Sequence, residues 1–189
     1  MDNAITSVEV YGQYTKDAAA AVQVFDNVEV SNTTGSWTYT GGLRPWIEGA
    51  AYVFAGYAPS NVTAPAVNAG GYLSWANYDV SANQYDLIYA TQQATGQTYG
   101  NNQQVVFTFN HLLSIVGFTF KSSFDADTEL TISNVAVNGV PSTATFTPDN
   151  TVTGSGNLGG SWGAASSPQN YQLTIAPITE AEGSSYDNF

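Results

Sequence analysis

The sequence predicts an all-β protein, an antiparallel two-sheet β-sandwich forming one domain over residues 1–189. Apolar and polar residues alternate with a period of two along most of the chain, the spacing at which a strand turns one face to a core. Gly, Asn, Ser and Pro separate the alternating runs at short intervals, as turns between antiparallel strands do. Helical periodicity is nearly absent. The most helix-prone segment, "TKDAAAAV" (Thr15 to Val22), is short enough for a loop or a single turn.

In chain order, "SVEVYGQYT" (Ser7 to Thr15), "VQVFDNVEV" (Val22 to Val30), "SWTYT" (Ser36 to Thr40) and "AYVFAGYAP" (Ala51 to Pro59) read as strands. "YDLIYAT" (Tyr85 to Thr91), "VVFTFN" (Val105 to Asn110) and "IVGFTFKSS" (Ile115 to Ser123) continue the pattern. Alternation places Phe107 with Phe109, and Phe118 with Phe120, on single strand faces, so all four are expected to be largely buried. "ELTISNVAVNGV" (Glu129 to Val140) and "YQLTIAPI" (Tyr171 to Ile178) are the last clear strands. The Gly/Ser-rich stretch Thr147 to Asn170 between them is expected to hold one weak strand.

Composition excludes several function classes. The 189 residues contain 15 acidic and 3 basic side chains, a formal net charge of -12, with 43% hydrophobic residues and 12 Tyr, 9 Phe and 4 Trp. That hydrophobic and aromatic content fits a folded chain. Such a charge repels phosphate backbones and anionic membranes, so no nucleic-acid partner is expected. No apolar run approaches the roughly 18 residues of a transmembrane helix, so no direct membrane insertion is expected. With no cysteine there is no disulfide, thiolate metal site or cysteine nucleophile. The opening "MDNAI" lacks the basic and apolar regions of a secretory leader.

Titratable groups are sparse, and no catalytic site, cofactor or metal is expected. His111, the only histidine, interrupts two strand-like runs, and no Gly-x-Ser-x-Gly elbow accompanies it. It is expected to be a buried structural residue, its imidazole bonding backbone groups freed where the ladder breaks. "DADTE" (Asp125 to Glu129) lacks the glycine and spacing of an EF-hand and reads as a solvated turn. Two acids meeting in the fold remain an alternative route to glycoside hydrolysis. Most aromatics are expected in the core. An exposed patch of Trp37, Trp75 and Trp162 would instead support a secreted carbohydrate-binding module.

Two regions carry a family resemblance. "RPWIEGAAYVFAGYAPS" (Arg44 to Ser60) resembles the Trp-containing strand ending in Tyr-Ala-Pro of Bacteroidetes fimbrillins. "YDLIYATQQ" followed by "VVFTFNHLLSIVGFTF", and then "LTISNVAVNGVPSTATFTP", resemble their later strands in the same order, over roughly Ser36 to Phe146. The resemblance implies a fimbrillin-like (Mfa-like) N-terminal domain with a transthyretin-like β-sandwich. It also implies a structural and adhesive subunit of a surface fimbria, with His111 and Trp46 as structural marks. Implied partners are other fimbrial subunits, joined by strand addition, and a host or bacterial surface receptor.

The same resemblance implies an extracellular, cell-surface protein exported as an outer-membrane lipoprotein, here trimmed of its lipid-bearing cysteine. Family members commonly carry a second β-domain, for which 189 residues leave little room. The best-known assembly route begins with arginine-specific removal of the first strand. The sole arginine, Arg44, precedes Pro45 within the tryptophan motif, and an Arg-Pro bond is a poor substrate. The end, "EGSSYDNF", is expected to be either a flexible tail or the approach to one further strand.

Overall fold

Strands account for all the regular secondary structure among the described residues of this computed structural model, which are 5–95, 104–121, 130–150, 159–180 and 185–188. In chain order they are β1 (Ser7–Thr15), β2 (Val22–Asn32), β3 (Trp37–Tyr39), β4 (Ala51–Ala58), β5 (Ala66–Val67), β6 (Leu73–Asp79) and β7 (Ile88–Ala94). Then follow β8 (Asn110–His111), β9 (Phe118–Lys121), β10 (Leu130–Pro148), β11 (Gly160–Trp162), β12 (Ser166–Glu180) and β13 (Ser185–Asn188). The chain divides into two compact units, Met1–Leu113 with Thr143–Ala165, and Ser114–Ser142 with Ser166–Phe189.

The first unit is a sandwich of two antiparallel sheets. One has the order β3-β2-β1-β4-β7-β8; the other runs β11-β10-β6-β5. Between them lies one apolar cluster. Tyr11, Ala55, Tyr57 and Tyr89 come from the first sheet, and Leu73, Trp75, Tyr78 and Phe146 from the second. Trp75, 1% exposed, stands edge-on to Tyr57, Tyr89 and Phe146 at centroid distances of 5.6, 5.9 and 5.9 Å. Its indole N–H donates to Thr63 O at 2.9 Å. Burial of these rings and their edge-to-face contacts hold the sheets together, each such pair adding about 0.5–1.5 kcal/mol beyond its area.

The strand carrying Trp75 lacks simple alternation. Its buried residues are Leu73, Trp75 and Tyr78, because a bulge falls between the pairs Tyr78↔Ala144 and Trp75↔Phe146. Asn77 takes a positive φ of 50° there, a conformation Asn tolerates. Its N–H donates to Thr145 Oγ1 at 3.1 Å, satisfying a group the ladder leaves free. A second bulge lies in β2, where Val10↔Val28 is followed by Gly12↔Phe25. Asn27, with φ 48°, occupies it, and its Oδ1 accepts the Tyr57 hydroxyl at 3.3 Å.

The helix-prone loop is a tight turn. Asp17 and Ala18 both have positive φ, 52° and 57°, and Ala19 N–H donates to Lys16 O at 2.9 Å, the geometry of a type I′ hairpin turn.

In the second unit β9 pairs antiparallel with β13, from Phe118↔Asn188 to Lys121↔Ser185. The final segment therefore contributes a strand at Ser185–Asn188. There β12 pairs with β10, and Gly139 N–H donates to Asn170 Oδ1 at 3.0 Å. Within the described part of the expected strand Ile115 to Ser123, which ends at Lys121, Phe118–Lys121 is paired, while Ile115 and Val116 are exposed. "DADTE" lies outside the described residues.

Gly12 fixes how closely β4 and β2 aromatics cross β1. A Cβ placed there would lie 2.7 Å from the Phe54 ring and 3.2 Å from the Phe25 ring. Gly12→Ala is expected to destabilise the fold by about 1–3 kcal/mol, the usual range for overpacking. Chemical denaturation checks this: an unchanged midpoint would mean that the rings yield freely.

Candidate functional site

Antiparallel sheets in sandwiches usually turn one face to the core and one to water. The six-stranded sheet does not. Its outer face carries Val8 and Val10 from β1, Tyr52, Phe54 and Ala58 from β4, and Ile88 from β7, all buried. Two pieces of chain cover that face.

The first is the tryptophan motif. Trp46 stands edge-on to Tyr52 and Phe54 at 4.7 and 5.8 Å. Ile47 N–H donates to the Tyr52 hydroxyl at 2.7 Å, which clamps the loop to β4.

The second is residues 104–109, here called the strap. Alternation survives in it: Val105, Phe107 and Phe109 are half-buried, while Gln104, Val106 and Thr108 are exposed. The Phe109 and Phe107 rings pass over Gly56, 3.4 and 3.6 Å from where a Cβ would stand, an ordinary contact distance. The strap nevertheless joins no β-ladder; pairing begins only at Asn110 and His111, opposite Tyr89 and Ile88. This corrects the expected strand Val105 to Asn110. The four phenylalanines Phe107, Phe109, Phe118 and Phe120 are half-buried rather than largely buried. For Phe107 and Phe109 the reason is that the strap covers a sheet face and is not itself covered.

Between the strap and β1–β3 lies an open apolar groove of about 730 Å³. Val8, Val10 and Val30 contribute to its lining, and Ile5, Trp37 and Val106 are exposed along it. Phe25 and Tyr39 also line it, and the guanidinium carbon of Arg44 lies 4.2 and 5.6 Å from their ring centroids.

His111 corrects another expectation. Its side chain is 70% exposed, and Nδ1 lies 2.8 Å from Asp86 Oδ1. The backbone of His111 is paired in the ladder, so no orphaned backbone group draws the imidazole inward. Trp46 and His111 bracket the outer face rather than converging on one centre. Among the described residues no group of three or more His, Asp or Glu side chains is placed to hold a metal. The three tryptophans do not form an exposed patch. Trp75 is in the core, Trp162 is half-buried with its N–H donating to Leu112 O at 2.7 Å, and Trp37 alone is well exposed.

Electrostatics single out Glu9. It is 7% exposed and directly opposite Glu29 in the β1–β2 register, an unfavourable like-charge pair. Burial, and then the Glu29 charge, push its carboxyl above the usual range. Burial also raises the neighbouring Tyr57 hydroxyl to about 12, so it remains a donor. Neither is legible in the sequence, since a Val-Glu-Val run reads as simple alternation.

A model of the fimbrillin-like family matches residues 2–186. Neither the curated proteins nor the solved structures contain a match to the chain.

With its carboxyl raised, Glu9 makes the native state bind more protons than the unfolded one just above the ordinary carboxylate range, so stability falls as pH rises through that window. Glu9→Gln is expected to be more stable than the parent at pH 7, with the gap narrowing toward pH 5. Denaturant midpoints at both pH values test this; a less stable variant at pH 7 would assign the carboxylate a favourable partner.

Proposed function

The chain belongs to the fimbrillin-like family, a family of fimbrial structural subunits, and from that premise we propose that it joins its neighbours by β-strand addition at the strap and its groove. Association with other fimbrial subunits and a surface-exposed place in the fimbria follow from the family. Strand addition, adhesion to a host or bacterial receptor, and outer-membrane anchoring of a lipoprotein precursor are the finer parts of the proposal. A structural rather than catalytic role, with Trp46 and His111 as structural residues, belongs to it as well.

One observation carries the reading. Residues 104–109 have the side-chain order of a strand and no ladder partner, beside an apolar groove. An extended segment laid there gains main-chain hydrogen bonds from the strap and buries alternate side chains in the groove, the two sources of affinity and specificity in strand addition. Trp46 fits as the clamp that holds the other half of the outer face closed. His111, paired to Asp86, fits as a surface contact between β8 and the turn before β7.

Val106 is the residue to alter, because its side chain is exposed and a proline there removes one strap N–H. Val106→Pro is expected to cut subunit association at least tenfold while the subunit's melting temperature stays within a few degrees. Sedimentation measures the first and calorimetry the second. Association at the parental level would rule out the strap as the acceptor.

A further inference from the structure

One dipeptide in the second unit carries chemistry of its own. Asn138–Gly139 is the single Asn-Gly pair in the chain; every other asparagine precedes a residue with a side chain. It lies within β10, and the side chain of Asn138 is exposed. An asparagine side-chain amide can be attacked by the main-chain nitrogen of the next residue, because the attack closes a five-membered ring. A Cβ on that next residue crowds the approach, and glycine leaves it open. Here the backbone itself calls for glycine, since φ at position 139 is +70°. The surroundings leave the approach open too, for a Cβ built on Gly139 would meet nothing within 4 Å.

One contact opposes the reaction. Gly139 N–H donates to Asn170 Oδ1 at 3.0 Å, and Asn170 stands on β12, the strand that pairs with β10. A base must take that proton before the nitrogen can attack. The hydrogen bond shields the proton and keeps the nitrogen aimed at Asn170 instead of the Asn138 side chain. Asn138, Gly139 and Asn170 are all exposed, so water and hydroxide reach the site.

We propose that Asn138–Gly139 is a site of self-modification, restrained by Asn170, at which the chain converts its own asparagine to aspartate and isoaspartate. The Gly139 nitrogen bonds to Cγ of Asn138 while the bond from Cγ to the side-chain amide nitrogen breaks. That nitrogen leaves as ammonia, taking up the proton that Gly139 gives up. Water, the sole co-reactant, then opens the cyclic imide. Opening at Cγ gives aspartate. Opening at the main-chain carbonyl carbon gives isoaspartate, whose backbone runs through the former side chain and is longer by one methylene. Either product adds a carboxylate to a chain already at net charge -12. The isoaspartate also lengthens a strand whose pairing depends on register. The change accumulates with time, so the converted fraction records the age of the subunit.

Peptide mapping by mass spectrometry of the intact chain, incubated at physiological temperature, tests the proposal by reading amide-to-acid conversion at each asparagine. Asn138 is expected to convert before any other, and faster at alkaline than at neutral pH. Asn170→Ala is expected to speed its conversion about two- to tenfold, the factor one ordinary hydrogen bond carries. Asn170→Asp keeps an accepting oxygen in place and should convert near the parental rate, which separates loss of the bond from a general loosening of the strands. Melting temperatures of both variants confirm that they fold. Conversion of Asn138 no faster than that of the other asparagines, or a rate unchanged in Asn170→Ala, would overturn the proposal. Equal acceleration in Asn170→Ala and Asn170→Asp would overturn the restraint assigned to Asn170.

Discussion

The structure depends on one constraint: the six-stranded sheet is apolar on both faces. Its inner face is satisfied by the second sheet, through Trp75 and the rings of Tyr57, Tyr89 and Phe146. The outer face has no second sheet, yet Val8, Val10, Phe54 and Ile88 point into it and must be kept from water. The tryptophan motif closes one part well, because Tyr52 clamps it by a hydrogen bond. The strap closes the rest without joining a ladder, and the groove is what remains open.

That incomplete closure links fold to function. A sheet face covered by an unpaired extended segment offers an incoming strand both a hydrogen-bonding partner and apolar area. On the proposed strand-addition reading, the next subunit of the polymer supplies the missing cover. The strong negative charge acts in the other direction, keeping free subunits apart by repulsion.

Much of this was legible in the sequence, for reasons that can be traced. β1, β2, β4 and β7 were read because they alternate or carry continuous apolar runs, and β11 was anticipated as a weak strand in the Gly/Ser-rich stretch. The Leu130 to Pro148 segment that carried part of the family resemblance is β10 to the residue. β6 escaped because the Asn77 bulge makes its core residues fall two and then three apart, which no period-two reading detects. The same slip hid Trp75 as the centre of the core. The strap misled in the opposite way, since side-chain alternation reports a covered face and not a hydrogen-bonded ladder. His111 was placed inside because a lone polar residue between apolar runs suggests a break in pairing, whereas its backbone is paired and its ring is free to turn outward to Asp86.

The central claim is that the strap covers the sheet without joining it, until a neighbouring subunit arrives. Residue-resolved amide hydrogen exchange on the free subunit and on assembled fimbriae tests this most directly. The account predicts that amides of Val105–Phe109 exchange quickly in the free subunit, while those of β4 are well protected, and that strap amides become protected on assembly. Strap amides as slow as β4 in the free subunit, or unchanged after assembly, would contradict it.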